Sequence, residues 1–187
     1  MTNVEKIRRE KLIQQAEGYL DLILCLEGRW SLPDHLVHSI TGKALNQLDR
    51  LESGSGRKSH AEYLKGQCFR LRQQYEEAVN CFWNSLDTDS ENIHSLLGLA
   101  WCYKRLDELD LAVESLTRAF EVQPDNPVIS FNLACYSSLQ GDVDRCCDFL
   151  QKAIELDESF RELIDRESDF DTVRNHPQFE FFLSAIA

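Results

Sequence analysis

Seven cysteines, five histidines and a few closely spaced carboxylates are the residues of this chain with reactive chemistry to offer. Cys25, Cys68, Cys81, Cys102, Cys135, Cys146 and Cys147 contain no Cys-x-x-Cys pair and match no zinc-finger spacing. Their odd number and scatter point to reduced thiols that serve as small buried apolar residues. Cys146 and Cys147 are adjacent, so on a helix they point to different faces. His35 and His38 stand three apart, a spacing that lets two imidazoles share a metal on a helix. No companion ligand follows them at a matching interval, and a structural or surface role is expected. Asp169-Phe170-Asp171 puts two carboxylates around one ring; a helix N-cap beside an anchoring phenylalanine explains it better than a metal. There is no His-Glu-x-x-His, no Gly-x-Ser-x-Gly, no phosphate-binding P-loop and no Gly-x-Gly-x-x-Gly. Catalytic residues, metal and cofactor are therefore all expected to be absent.

The composition agrees with a structural or binding role. At 187 residues the chain is long enough to bury roughly 70% of its unfolded surface without disulfides or metal. Eight glycines and four prolines are too few for an all-β fold rich in marked turns, or for a linker. The net charge is −12, which disfavours nucleic acid and anionic membrane as partners. Residues 1–58 hold nine basic and eight acidic groups, whereas 59–187 hold eleven and twenty-four. The N-terminus is charged, and no apolar run approaches the ~20 residues needed to span a bilayer. With the cysteine usage, this predicts a reducing cytoplasm.

The strongest signal is a period of 34 residues. Counting from Ser59 gives windows at 59–92, 93–126 and 127–160. Position 8 is small in each: Gly66, Ala100, Ala134. Position 20 is small again: Ala78, Ala112, Cys146. Position 24 is large and apolar: Phe82, Leu116, Leu150. Each half-window has apolar residues three and four apart, the mark of an amphipathic helix. Gly141-Asp142 and Pro124-Asp125-Asn126-Pro127 sit where helices must turn. Small residues let the helices of a hairpin approach closely, and large ones fill the space before the next hairpin.

These residues resemble the tetratricopeptide repeat family over 59–160, most strongly in 93–126, where Tyr103, Ala112, Ala119 and Pro124 all fit its pattern. The frequent tryptophan at position 4 is missing; Glu62, Leu96 and Ser130 stand there. Residues 131–179 look like the last repeat and C-terminal extension of small bacterial tetratricopeptide proteins. The resemblance implies an all-α right-handed superhelix and a non-catalytic adaptor or scaffold that holds a partner segment in a concave groove. Carried over by position, the groove face comprises His60, Tyr63, Gln67, Arg70 and Leu71 in the first window. The second supplies His94, Leu97, Trp101, Lys104 and Arg105, and the third Phe131, Asn132, Cys135 and Ser138. The same residues recur at helical spacing on the face that the packing positions leave free. Tyr63, Trp101 and Phe131 are large aromatic anchors. Arg70, Lys104 and Arg105 form a basic cluster suited to acidic side chains, and Asn132 can hydrogen-bond a peptide backbone. Coverage of these aromatics by the first hairpin or the C-terminal tail is the competing expectation. The positions that clamp a chaperone's terminal carboxylate in related domains hold Tyr63, Gln67, Gly98, Val128 and Asn132, so that mode is disfavoured.

The flanks complete the expected organisation: an N-terminal helical hairpin in 1–58, three repeats in 59–160 and a helical cap in 161–187. The hairpin is broken at Ser31-Leu32-Pro33-Asp34, and residues 53–59 resemble a linker. The C-terminal cap is expected to bury Phe170, Phe179, Phe182 and Leu183, because an open-ended solenoid must cover its last repeat. Two rival functions fit the same pattern: a type III secretion-type chaperone, and a structural protein that self-associates and buries its groove. Monomer and homodimer are both compatible with it.

Overall fold

The computed structural model describes residues 2–27, 31–51 and 58–186, and the described residues are helices and turns without a β-strand. The helices are α1 (Asn3–Glu27), α2 (Asp34–Leu48), α3 (Lys58–Leu71), α4 (Tyr75–Leu86), α5 (Ile93–Arg105), α6 (Leu109–Val122), α7 (Pro127–Leu139), α8 (Val143–Leu156) and α9 (Pro177–Ile186), with 3-10 turns at Glu158–Leu163 and Ser168–Thr172. Residues 53–57 of the linker-like stretch lie outside the described residues, and Lys58 and Ser59 already open α3. The chain forms two compact units, Met1–Leu106 and Asp107–Ala187.

In the first unit, α1 and α2 pack as a hairpin on α3. Ile13, Ala16 and Leu20 of α1 meet Ala44 and Leu48 of α2 and Ala61, Leu64 and Cys68 of α3. Arg72, just past α3, ties the hairpin down: its Nε donates to Thr41 Oγ1 at 2.7 Å and its Nη2 to the His38 carbonyl at 3.1 Å. The next layer turns on Phe82 of α4, whose ring is wholly buried. A Cβ added at Gly66 on α3 would lie 2.5 Å from that ring, and one at Gly98 on α5 would lie 2.6 Å from it. Glycine at both places is what admits an aromatic ring between these helices; at Gly66 this is the physical cause of the small residue at position 8, whereas Gly98 stands at position 6 of its window. Beside it, Ser95 Oγ donates to Ser85 Oγ at 2.8 Å, and Ser85 and Ser59 hydroxyls lie 2.9 Å apart. This buried polar chain is satisfied internally, which removes most of the cost of placing hydroxyls in a core.

In the second unit the repeat positions are occupied as the period requires. Ala112 and Leu116 of α6, and Cys146 and Leu150 of α8, are all at most 1% exposed. Phe120 of α6 and Phe149 of α8 meet edge to face at 5.5 Å. Beyond α8 the chain shortens into 3-10 turns, the first at Glu158–Leu163. The second turn is capped by Glu167, whose carboxylate accepts from the Asp169 amide. Neither aspartate of Asp169-Phe170-Asp171 is that cap, against expectation; Phe170 is nonetheless the anchor, fully buried and stacked 5.8 Å from Phe179 of α9. Phe182 and Leu183, expected in the core, are only half-buried.

Helix boundaries repeat with the period. Asn92 and Asn126, both at position 34, accept hydrogen bonds from the first-turn amides of α5 and α7. Position 15 takes a left-handed backbone in all three windows: Gln73 (φ 60°), Asp107 (φ 63°) and Gly141 (φ 75°). Only glycine adopts it without strain.

Candidate functional site

The groove-face positions of the first unit come together on α3 and α5. They form two linked clusters. At the N-terminal end of α3, His60 Nε2 lies 2.7 Å from Glu17 Oε1 of α1. His60 stacks 6.0 Å from Tyr63, and Tyr63 lies 5.7 Å from His94 of α5. Burial pushes the Tyr63 hydroxyl above its ordinary pKa, opposed by the Arg70 charge and by a hydrogen bond with Gln67. Tyr63 is therefore a neutral phenol at physiological pH.

At the C-terminal ends of the same helices, Trp101 is the centre. The Arg70 guanidinium lies 5.0 Å from its ring centroid and that of Arg105 lies 5.8 Å from it. Tyr75, the first residue of α4, meets the indole edge to face at 5.5 Å. Arg70 Nε also donates to Gln67 Oε1 at 2.8 Å, which fixes its orientation. Trp101 stays 36% exposed. Arg70 and Arg105 are paired with no carboxylate among the described residues. Both sit, with Lys104, in last helical turns, where they also compensate the helix dipoles. That role explains a basic residue there. It does not explain an exposed indole with two guanidiniums against its ring.

A cleft of about 440 Å3 runs along α3 beneath α1. Its floor is Leu20, Tyr63, Leu64 and Leu71; Leu24 of α1 borders it and is 52% exposed. Glu17, Asp21 and Leu24 were not among the groove residues read from the sequence. They belong to α1, outside the repeats, and only packing of α1 against α3 brings them to this face. Leu97 is half-buried and His94 is exposed.

The third window behaves otherwise. Phe131, Cys135 and Ser138 are buried. Phe131 packs 5.1 Å from Phe160 and 5.7 Å from Phe170. Ser138 Oγ donates to the Asp169 carbonyl at 2.7 Å, and Thr172 Oγ1 donates to the Ser138 carbonyl. The chain's own C-terminal segment covers Phe131 and Ser138, so Phe131 is a core residue and not an exposed anchor. Asn132 is half-buried.

The remaining reactive residues are not assembled into a site. Burial raises the thiols of Cys68, Cys102 and Cys146 to about 12 and that of Cys81 to about 11, so they are protonated and poor nucleophiles. Cys147 is buried and raised in the same sense. His38 uses Nδ1 to donate to the Asp34 carbonyl at 2.9 Å. Among the described residues no three His, Cys, Asp or Glu are grouped to hold a metal, and no helix is long and apolar enough to cross a membrane.

Comparison with known proteins agrees with this geometry. The tetratricopeptide repeat family matches residues 93–126 and 129–160. No curated protein matches the sequence. Among solved structures, YrrB, a tetratricopeptide protein with an unusual peptide-binding site, is similar with TM-score 0.63 and 19% identity, over 82% of this chain and 80% of that one. MamA is similar with TM-score 0.60 and 13% identity, over 87% and 99%. MamA of Desulfovibrio magneticus is similar with TM-score 0.58 and 16% identity, over 91% and 96%. Residues 93–126 and 129–160 are matched as tetratricopeptide repeats, and the all-α fold of the described residues is similar to that of solved tetratricopeptide proteins.

Proposed function

We propose that the chain is a non-catalytic interaction adaptor whose first unit binds a segment of a partner protein along α3 and α5. The observation that carries this reading is Trp101: an indole with two guanidiniums against its ring, left accessible, with no partner carboxylate on either arginine among the described residues. Aromatic and arginine side chains dominate binding energy at protein interfaces, and a pre-stacked arginine loses little further freedom on binding. The peptide-binding site of YrrB supports the same reading by analogy of fold. The buried thiols fit a reducing cytoplasm.

Affinity capture from lysate of the source organism, with wild type and Trp101→Ala/Arg105→Ala side by side, yields the candidate partners. Calorimetry with a captured partner then measures the anchor. Trp101→Ala is expected to cost about 2 kcal/mol of binding. Unchanged affinity would overturn the groove as the binding site.

A further inference from the structure

We infer that the groove of the first unit selects an extended segment of opposite charge at its two ends, with a cationic side chain against Glu17 and Asp21 of α1 and a carboxylate on Arg70 and Arg105. This rests on the reading of the groove as a peptide site and names the chemistry of its ligand.

The charges are separated along the cleft. Glu17 and Asp21 line it from α1, one helical turn apart, beside His60. Asp21 is exposed and forms no ion pair among the described residues. Ten residues further along α3, Arg70 lines the same cleft and reaches Trp101, where Arg105 joins it. Ten helical residues span about 15 Å. Between the poles the surface is uncharged: Tyr63, Gln67, Leu64 and Leu24.

Physical chemistry then restricts the occupant. A uniformly acidic segment meets like charge at α1, and a uniformly basic one meets it at Arg70 and Arg105. Each mismatch costs binding free energy, so the two poles act as attraction and as rejection. An extended chain advances about 3.3 Å per residue. Since Asp21 brings the acidic pole one turn closer, a cation and a carboxylate three to five residues apart reach both poles. The apolar floor between them takes the intervening side chains. An arginine without a carboxylate partner also presents its planar fork for two charge-assisted hydrogen bonds, which a ligand carboxylate matches.

The test uses a phage-displayed library of random twelve-residue segments selected on the full chain. Enriched segments are expected to carry Lys or Arg three to five residues from Asp or Glu. Arg105→Glu and, separately, Asp21→Lys should each weaken them about tenfold. Replacing the segment's acidic residue by Lys should restore affinity for Arg105→Glu. Both substituted side chains are exposed, and a thermal melt of each variant verifies folding. Segments that depend on Trp101 but show no charge pairing, or that ignore both reversals, would overturn this inference and leave the groove reading standing. Absence of any segment whose binding falls on Trp101→Ala would overturn both.

Discussion

Positions 9 and 12 of the repeat have opposite fates in the two units. In the first they are Gln67, Trp101, Arg70 and Lys104, on a face that keeps Trp101 accessible. In the second they are Cys135 and Ser138, both buried. The charge divides in the same way: residues 1–106 hold fourteen basic and fourteen acidic groups, and 107–187 hold six and eighteen. A repeat dictates which face of a helix is left over after the hairpins pack. The neighbouring non-repeat segment dictates whether that face is consumed by the fold. In the second unit the chain's own Phe160, Phe170 and Thr172 cover it; in the first, cations are held beside an open cleft.

The largest effect that would test this contrast is on stability. Phe170→Ala removes a fully buried ring that Phe131 and Phe179 touch and should cost about 3 to 4 kcal/mol in denaturant unfolding. Trp101→Ala, at an exposed ring held mainly by cation–π contacts, should cost about 1 kcal/mol of stability while removing the binding anchor. Equal losses would erase the distinction between a structural and a binding aromatic. Next in size is Gly98→Ala. Its methyl would sit 2.6 Å from Phe82, and overpacking should cost about 2 kcal/mol. In a double-mutant cycle, Phe82→Leu should relieve part of that cost; simple additivity would show that the ring is not the cause. The smallest effect lies in the turns. Gln73→Gly should stabilise by about 0.5 to 1 kcal/mol and Gly141→Ala should destabilise by a similar amount, both read as shifts in the urea midpoint.

Much of the fold was legible because the period exposes it. Positions 8, 20 and 24 are read straight from the residues, and each holds a buried side chain or a close helix contact. The proline and glycine breaks mark α7 and α8 correctly. Position 15 was legible only at Gly141; Gln73 and Asp107 carry the same backbone with no residue type to announce it. The polar capping of Ser168–Thr172 by Glu167 was missed because Asp169 and Asp171 are the more common capping residues. Phe131 was misassigned to the groove because its position in the repeat matches that of Tyr63 and Leu97, and position carries no knowledge of a non-repeating tail.

The sequence by itself determined the helical hairpins of the repeats, their register and the small and apolar packing positions 8, 20 and 24, since those follow from the spacing of apolar and small side chains along one helix. It also determined that the face bearing Trp101, Arg70 and Arg105 is left over by packing. Tertiary structure alone decided which parts of that face remain available. Helix α1 contributes Glu17 and Asp21 to the cleft, and the C-terminal turns close over Phe131 and Ser138. These contacts join segments outside the period to segments within it, and local spacing holds no record of such long-range pairing.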